Sequence, residues 1–298
     1  MTTTLTCLAI VVAVAAAVRS TWSPCGLSML SSITPFGERG RGHRYAATCT
    51  WFVVGATSGG VALGGVAAAL AAAVHFGEAS ALVVGVVALA ATLVAAVSDS
   101  EWAGARVPVH FRQVNERWLD AYRPWVYGAG FGFQIGCGLA TYITTAAVYL
   151  TVVLAALAGS PALAVVVGAT FGLVRGLAVT LTRKVQTPTG LLAFHQRFAA
   201  LRPWADRGVL ASMVVSAVVL AVAVGQFPAT AVVLVVAAGA GGVRLLTQSA
   251  SVASGEVVAD TTSSTGPPRP VSAVSAPSPV GSGSGSSTGS GRLSRQRR

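Results

Sequence analysis

Seven apolar runs, each about as long as a bilayer is thick, constrain this chain more than any other feature in it. A helix covers a hydrocarbon core of roughly 30 Å with about 20 mostly apolar residues. Runs of that kind are Leu5–Ile33, Thr48–Val74, Ser80–Val97, Val126–Ala158, Pro161–Thr180, Gly208–Gly225 and Ala229–Leu246. Only 10% of the residues are charged and 53% are hydrophobic, whereas soluble domains carry about a quarter charged residues. The expected fold is an all-α membrane protein, a polytopic bundle of six or seven transmembrane helices spanning residues 1–246.

The connections between runs alternate in charge. Arg39, Arg41 and Arg44 follow the first run; Arg106, Arg112, Arg117 and Arg123 precede the fourth; Arg183, Lys184, Arg197, Arg202 and Arg207 precede the sixth. The intervening HFGEAS, AGS and GQFPA carry no Lys or Arg. The positive-inside rule places the arginine loops in the cytoplasm, the N-terminus outside and the C-terminus inside the cell membrane. The formal net charge of +11 is thereby explained without nucleic acid, for which no basic face or reading module is present. Leu5–Val18 lacks the basic start and small-residue cleavage site of a signal peptide and is read as part of the first span.

Two of the arginine loops end alike, HFRQVNERWLDAYRPW and FHQRFAALRPW. Each reads as an amphipathic segment closed by a Trp anchor at the start of the next span, with His110 and His195 on its surface. Residues 247–298 are rich in Ser, Gly, Pro and Thr. They are expected to form a disordered cytoplasmic tail whose Arg295, Arg297 and Arg298 touch anionic lipid.

Small residues at helical spacing mark helix contacts in lipid. Gly55/Gly59 and Gly60/Gly64, Gly128/Gly132/Gly136 and Gly168/Gly172/Gly176 form such ladders, and tight packing accounts for them. Of the four cysteines, Cys7 and Cys49 read as small packing residues. No CxxC and no Cys/His spacing suited to a metal occurs. Cys25 and Cys137 differ in setting. Cys25 lies between Pro24 and Gly26, and Cys137 between Gly136 and Gly138, so each thiol occupies a weak point in a membrane helix. Counted from exits near Phe36 and Val126 at the cytoplasmic face, both lie about 16 Å deep and could meet. Counted from Leu5, Cys25 lies about 30 Å deep, so the first segment must be broken, tilted or partly interfacial. Arg19 is expected to snorkel outward.

SPCGLSMLSSITP and AGFGFQIGCGLATYI resemble the two cysteine motifs of the thiol:disulfide interchange (DsbD-type) and cytochrome c biogenesis (CcdA-type) membrane family. Gly136 stands where that family carries a proline, and the proline after the first cysteine is displaced to Pro35. The resemblance implies two inverted three-helix repeats, about 1–97 and 126–225, with an extra span at 229–246. It makes Cys25 and Cys137 a redox pair supported by Pro24, Gly26, Gly136 and Gly138. The pair would take electrons from cytoplasmic thioredoxin and pass them to an extracytoplasmic thioredoxin-like protein, with no other cofactor. It also implies that Pro24 breaks its helix so that the thiol can react.

Two other readings compete. A transporter of inverted-repeat architecture would use Gln134, Thr141, Thr144 and Thr145 at the repeat interface. An intramembrane carboxylate would favour it, but Glu78, Asp99 and Glu101 all fall at span ends. In a membrane scaffold, the third reading, thiols and glycines serve packing only. No hydrolase triad or phosphate loop occurs.

Overall fold

A computed structural model of the chain describes residues 2–75, 80–100, 122–138, 143 and 145–225, all within one compact unit, Met1–Gln248. The described residues form helices α1 (Thr2–Ser20), α2 (Pro24–Ser32), α3 (Pro35–Gly40), α4 (Tyr45–His75), α5 (Ala81–Ser100), α6 (Pro124–Gly136), α7 (Ala147–Leu157), α8 (Pro161–Leu177) and α9 (Pro188–Ala223). A 3₁₀ turn, Ala178–Lys184, extends α8. The expected seventh span, the tail, His110 and the first RPW loop lie outside the described residues, apart from Tyr122–Trp125.

Among the described residues, five helical stretches are long and apolar enough to cross a membrane: Thr2–Ser20, Tyr45–Ala73, Ala81–Ser100, Pro161–Lys184 and Pro188–Ala223. The protein is an all-α polytopic membrane protein. Its first and fourth expected spans are not single helices. The first is divided between α1 and α2 and is followed by the short α3 and the long α4 and α5; the fourth is divided between α6 and α7 and is followed by α8 and α9.

Helix starts follow a local rule. Ser23-Pro24-Cys25-Gly26, Thr34-Pro35-Phe36-Gly37 and Thr187-Pro188-Thr189-Gly190 open α2, α3 and α9. In each, the hydroxyl accepts a hydrogen bond from the glycine N–H, at 3.2, 3.0 and 3.1 Å. Proline at the first helical position sacrifices an N–H that has no helical partner anyway, and its fixed φ suits the helix. This corrects the expected role of Pro24, which begins α2 and does not interrupt an existing helix.

The second RPW loop is corrected as well. Residues 188–207 do not precede a separate span at Gly208–Gly225; they belong to the same 36-residue helix, α9. Leu, Ala, Gln and Arg are good helix formers, and Pro203 disturbs the hydrogen bonding only locally. Trp204 therefore sits inside α9, exposed, not at the start of a span. The Trp22 indole N–H donates to the Phe198 carbonyl at 2.8 Å and its ring stacks on Phe198 at 4.2 Å. That carbonyl neighbours the one on Ala199 that Pro203 deprives of a helical donor.

α4 is the central helix, packed most extensively on α8 and α6, while α1 leans on α7, α8 and α9. The glycine ladders permit these contacts. A Cβ on Gly60 would lie 2.8 Å from Gly172 Cα, and one on Gly132 2.8 Å from Ala56 N. Ordinary side chains would force the helices apart.

Two apolar clusters fill the bundle. One joins Leu5–Ala17 of α1, Leu63 and Ala67 of α4, α7, Phe171 of α8 and Val209–Ala221 of α9. The other joins Met29 and Leu30 of α2 and its C-cap Ile33, Cys49 and Phe52 of α4, Tyr127, Phe131 and Ile135 of α6, Val179 and Phe198. In the chain, each helix break falls between a segment of one cluster and a segment of the other.

Candidate functional site at the helix breaks

The first break is the turn Thr21-Trp22-Ser23. Thr21, Trp22 and Ser23 N–H groups return to the carbonyls of Val18, Arg19 and Ser20 at 3.1–3.2 Å, closing α1. Cys25 is then the second residue of α2 and is 3% exposed. Gly26 lets the chain fold back on itself, because a Cβ there would come within 2.9 Å of the Thr21 carbonyl carbon.

The second break begins at Cys137, the C-cap of α6. Gly138 follows with φ +66°, a left-handed conformation that glycine adopts without steric cost. A Cβ there would also lie 2.9 Å from the Phe171 ring. Gly138 ends this helix, so the break forms without a proline. Gly136 serves a different purpose, since a Cβ on it would fall 2.6 Å from the Ala56 carbonyl carbon.

Arg175 of α8 reaches the second break. It is 2% exposed, and its Nη1 donates to the Ile135 carbonyl at 2.7 Å, two residues before Cys137. The guanidinium also lies over the Phe171 ring at 5.8 Å. Sequence reasoning missed this residue, although its position next to the Gly168/Gly172/Gly176 ladder was a signal: an arginine flanking a close-packed face is carried into the bundle. None of the four cysteines is disulfide-bonded.

Arg19 does not snorkel. It is 8% exposed and its Nε pairs with Asp206 of α9, because the continuous α9 carries that carboxylate to the level of the first break. A buried guanidinium and a carboxylate offset each other's desolvation, which lipid exposure would not do.

Glu38 of α3, just past the end of the first expected span, is fully buried. Its oxygens accept from Thr48 Oγ1 and Tyr127 OH, each at 2.6 Å, and from Arg41 Nη1 at 2.8 Å. His43 Nδ1 stands 3.4 Å from the Tyr127 hydroxyl. This node fastens α3, which follows the Cys25 helix, to α4 and to the Cys137 helix.

Of the residues expected in a transport site, Thr145 bonds to the Asp99 carboxylate, which also accepts the Ala146 N–H at 2.7 Å. Asp99 thus caps α7 from a different helix. Gln134 is half-buried on α6, and Thr141 and Thr144 lie outside the described residues. Cys49 is buried in the second apolar cluster and Cys7 is exposed. His195 is held by Ser31 Oγ at 3.2 Å.

No family model and no solved structure matches the chain. Curated relatives do. "Methylamine utilization protein MauF" of Paracoccus denitrificans is 31% identical over 223 residues, covering 70% of this chain and 76% of the relative. The protein of that name from Paracoccus versutus is 29% identical, with 68% and 75% covered. The one from Methylophilus methylotrophus is 32% identical, with 59% and 62% covered.

Proposed function

This chain belongs to the MauF family of methylamine utilization proteins, and we propose that within such a system it works as a transmembrane thiol–disulfide electron carrier. The observation that carries the reading is the placement of Cys25 and Cys137, each at a break in a membrane segment. A membrane thiol in a continuous helix would be a packing residue. At a break, helical backbone hydrogen bonding is interrupted, which sets both thiols apart from packing residues inside a continuous helix.

The cycle needs no cofactor. A thiolate of reduced cytoplasmic thioredoxin attacks one sulfur of a Cys25–Cys137 disulfide, forming a mixed disulfide and releasing the other cysteine. The second thioredoxin thiolate resolves that mixed disulfide. Two electrons and two protons have then moved to the pair, and thioredoxin leaves oxidised. The reverse exchange with an extracytoplasmic thioredoxin-like protein returns the pair to the disulfide. In this reading the N-terminus is outside the cell membrane, the arginine-rich connections and C-terminus are cytoplasmic, and lipid surrounds the bundle.

Thiol alkylation of membranes, with and without reductant, tests the reading. Air-oxidised protein is expected to protect Cys25 and Cys137 together and to yield a peptide pair joined through them by mass spectrometry. Failure to find that linkage under any oxidant defeats the proposal.

A further inference from the structure

α9 is longer than a membrane is thick, and an exposed face of arginine and tryptophan lies where it leaves the hydrocarbon. Its 36 residues extend about 54 Å as a helix, whereas the core of a bilayer is roughly 30 Å across. Val209, Met213, Ala217, Leu220 and Ala221 of its C-terminal half belong to the first apolar cluster. Counted back from Ala223, Asp206 comes about 26 Å in, and its partner Arg19 comes about 26 Å in along α1 from Thr2. The two helices agree on where the core ends, and Trp204 stands at that edge.

Arg197, Ala200, Trp204 and Arg207 recur every three or four residues and share one side of α9, turned away from the buried Phe198 and Val209. All four are exposed, Trp204 at 67%, and Leu201 beside them at 53%. Arg207 starts about one turn deeper than Trp204, yet its guanidinium reaches back over the Trp204 ring at 5.3 Å. Side chains on a helix lean toward its N-terminus, which here is the direction of the membrane edge. The Arg207 stem therefore lies against apolar surface while its charge gains the headgroup level. Asp206 is the only carboxylate in residues 188–207, and it faces Arg19 and Arg202. The exposed charge of the segment is positive.

We propose that this face of α9 binds anionic phospholipid. Arg207 pairs with a headgroup phosphate, the Trp204 ring and Leu201 pack against the glycerol region, and Arg197, two turns beyond Trp204, adds charge at the outer rim of the headgroups. A guanidinium forms strong charge-assisted bonds to phosphate, tryptophan favours the membrane interface, and an anionic leaflet attracts basic segments within a Debye length. Depth selects lipid over a soluble acidic partner, because headgroups occupy the level at which Trp204 and the Arg207 guanidinium stand. The site is independent of the thiol chemistry proposed above.

The test uses full-length protein in dodecyl maltoside mixed micelles and reads quenching of tryptophan fluorescence by brominated phosphatidylglycerol, which is anionic, or brominated phosphatidylcholine, which carries no net charge. The difference between wild type and Trp204→Phe isolates the signal of Trp204. Phosphatidylglycerol is expected to quench that signal at a mole fraction about tenfold or more below that needed for phosphatidylcholine. With Arg197→Gln and Arg207→Gln together the preference falls to within about twofold, and with both changed to Lys it stays within about threefold of the wild type. Equal quenching by the two lipids in the wild type, or a preference that survives loss of both arginines, overturns the proposal. So does loss of the preference on adding inorganic phosphate at the lipid concentration, which marks a free-anion site, or protection of Trp204 from both lipids by polyglutamate, which marks a face for an acidic protein. Where the double variant does not accumulate, Arg197→Gln alone decides: the preference drops by about threefold or more, and an unchanged preference overturns the assignment.

Discussion

The two breaks are made by different means and end in opposite chemistry. At the first, a hydroxyl and a proline start a helix, and Cys25 sits among its opening N–H groups. At the second, a glycine with φ +66° stops a helix, and Cys137 sits among its closing carbonyls. A proline and a glycine look alike as helix breakers in sequence. In three dimensions they give two thiols unlike surroundings, with the Arg175 guanidinium bound among the closing carbonyls of α6.

Four substitutions probe the comparison. Gly136→Ala tests whether the second break depends on the close approach of α6 and α4. With the Ala56 carbonyl carbon 2.6 Å from the new Cβ, a loss of about 3 kcal/mol is expected, measured as thermal unfolding in detergent. Glu38→Ala removes the acceptor that both Tyr127 and Thr48 use. A loss of about 2–3 kcal/mol is expected, with faster hydrogen exchange in α2 and α3. Stability unchanged within error would show that the node does not fasten the two cysteine helices.

Gly138→Ala imposes a side chain on a left-handed residue facing Phe171 and should cost about 1–2 kcal/mol. The signature is altered accessibility of Cys137 to alkylation with Cys25 unaffected; equal change at both thiols would couple the breaks more tightly than their separate construction suggests. Ser23→Ala removes the cap of α2 and should cost about 1 kcal/mol, with increased exchange confined to the first turn of α2. A larger effect on α6 than on α2 would contradict that local role.

Much of the site is legible in the sequence. The SPCG and IGCG stretches mark both cysteines, and the conflict between depths counted from Leu5 and from Phe36 requires a broken first segment. The conflict resolves into the Thr21–Ser23 turn. Pairing across the bundle is not legible in the same way. Arg19 and Asp206 stand near opposite ends of the described chain and meet because α9 runs unbroken through Pro203. Glu38 looks like a loop residue until Thr48 and Tyr127 close over it. The second RPW motif misleads because a tryptophan beside a proline resembles a membrane anchor, whereas a long helix can carry both.

The sequence by itself determined the class of the molecule. Runs of about 20 apolar residues must cross lipid as helices, because no other open structure satisfies their backbone there. Glycine at helical spacing equally determined that the helices would pack closely. Only the tertiary structure decided where charge would go. Burying a cation or a carboxylate is favourable solely when a partner from another helix arrives at the same depth. That depends on where each helix starts, breaks and ends, which is why Arg175, Arg19 and Glu38 acquired their roles in the fold and not in the sequence.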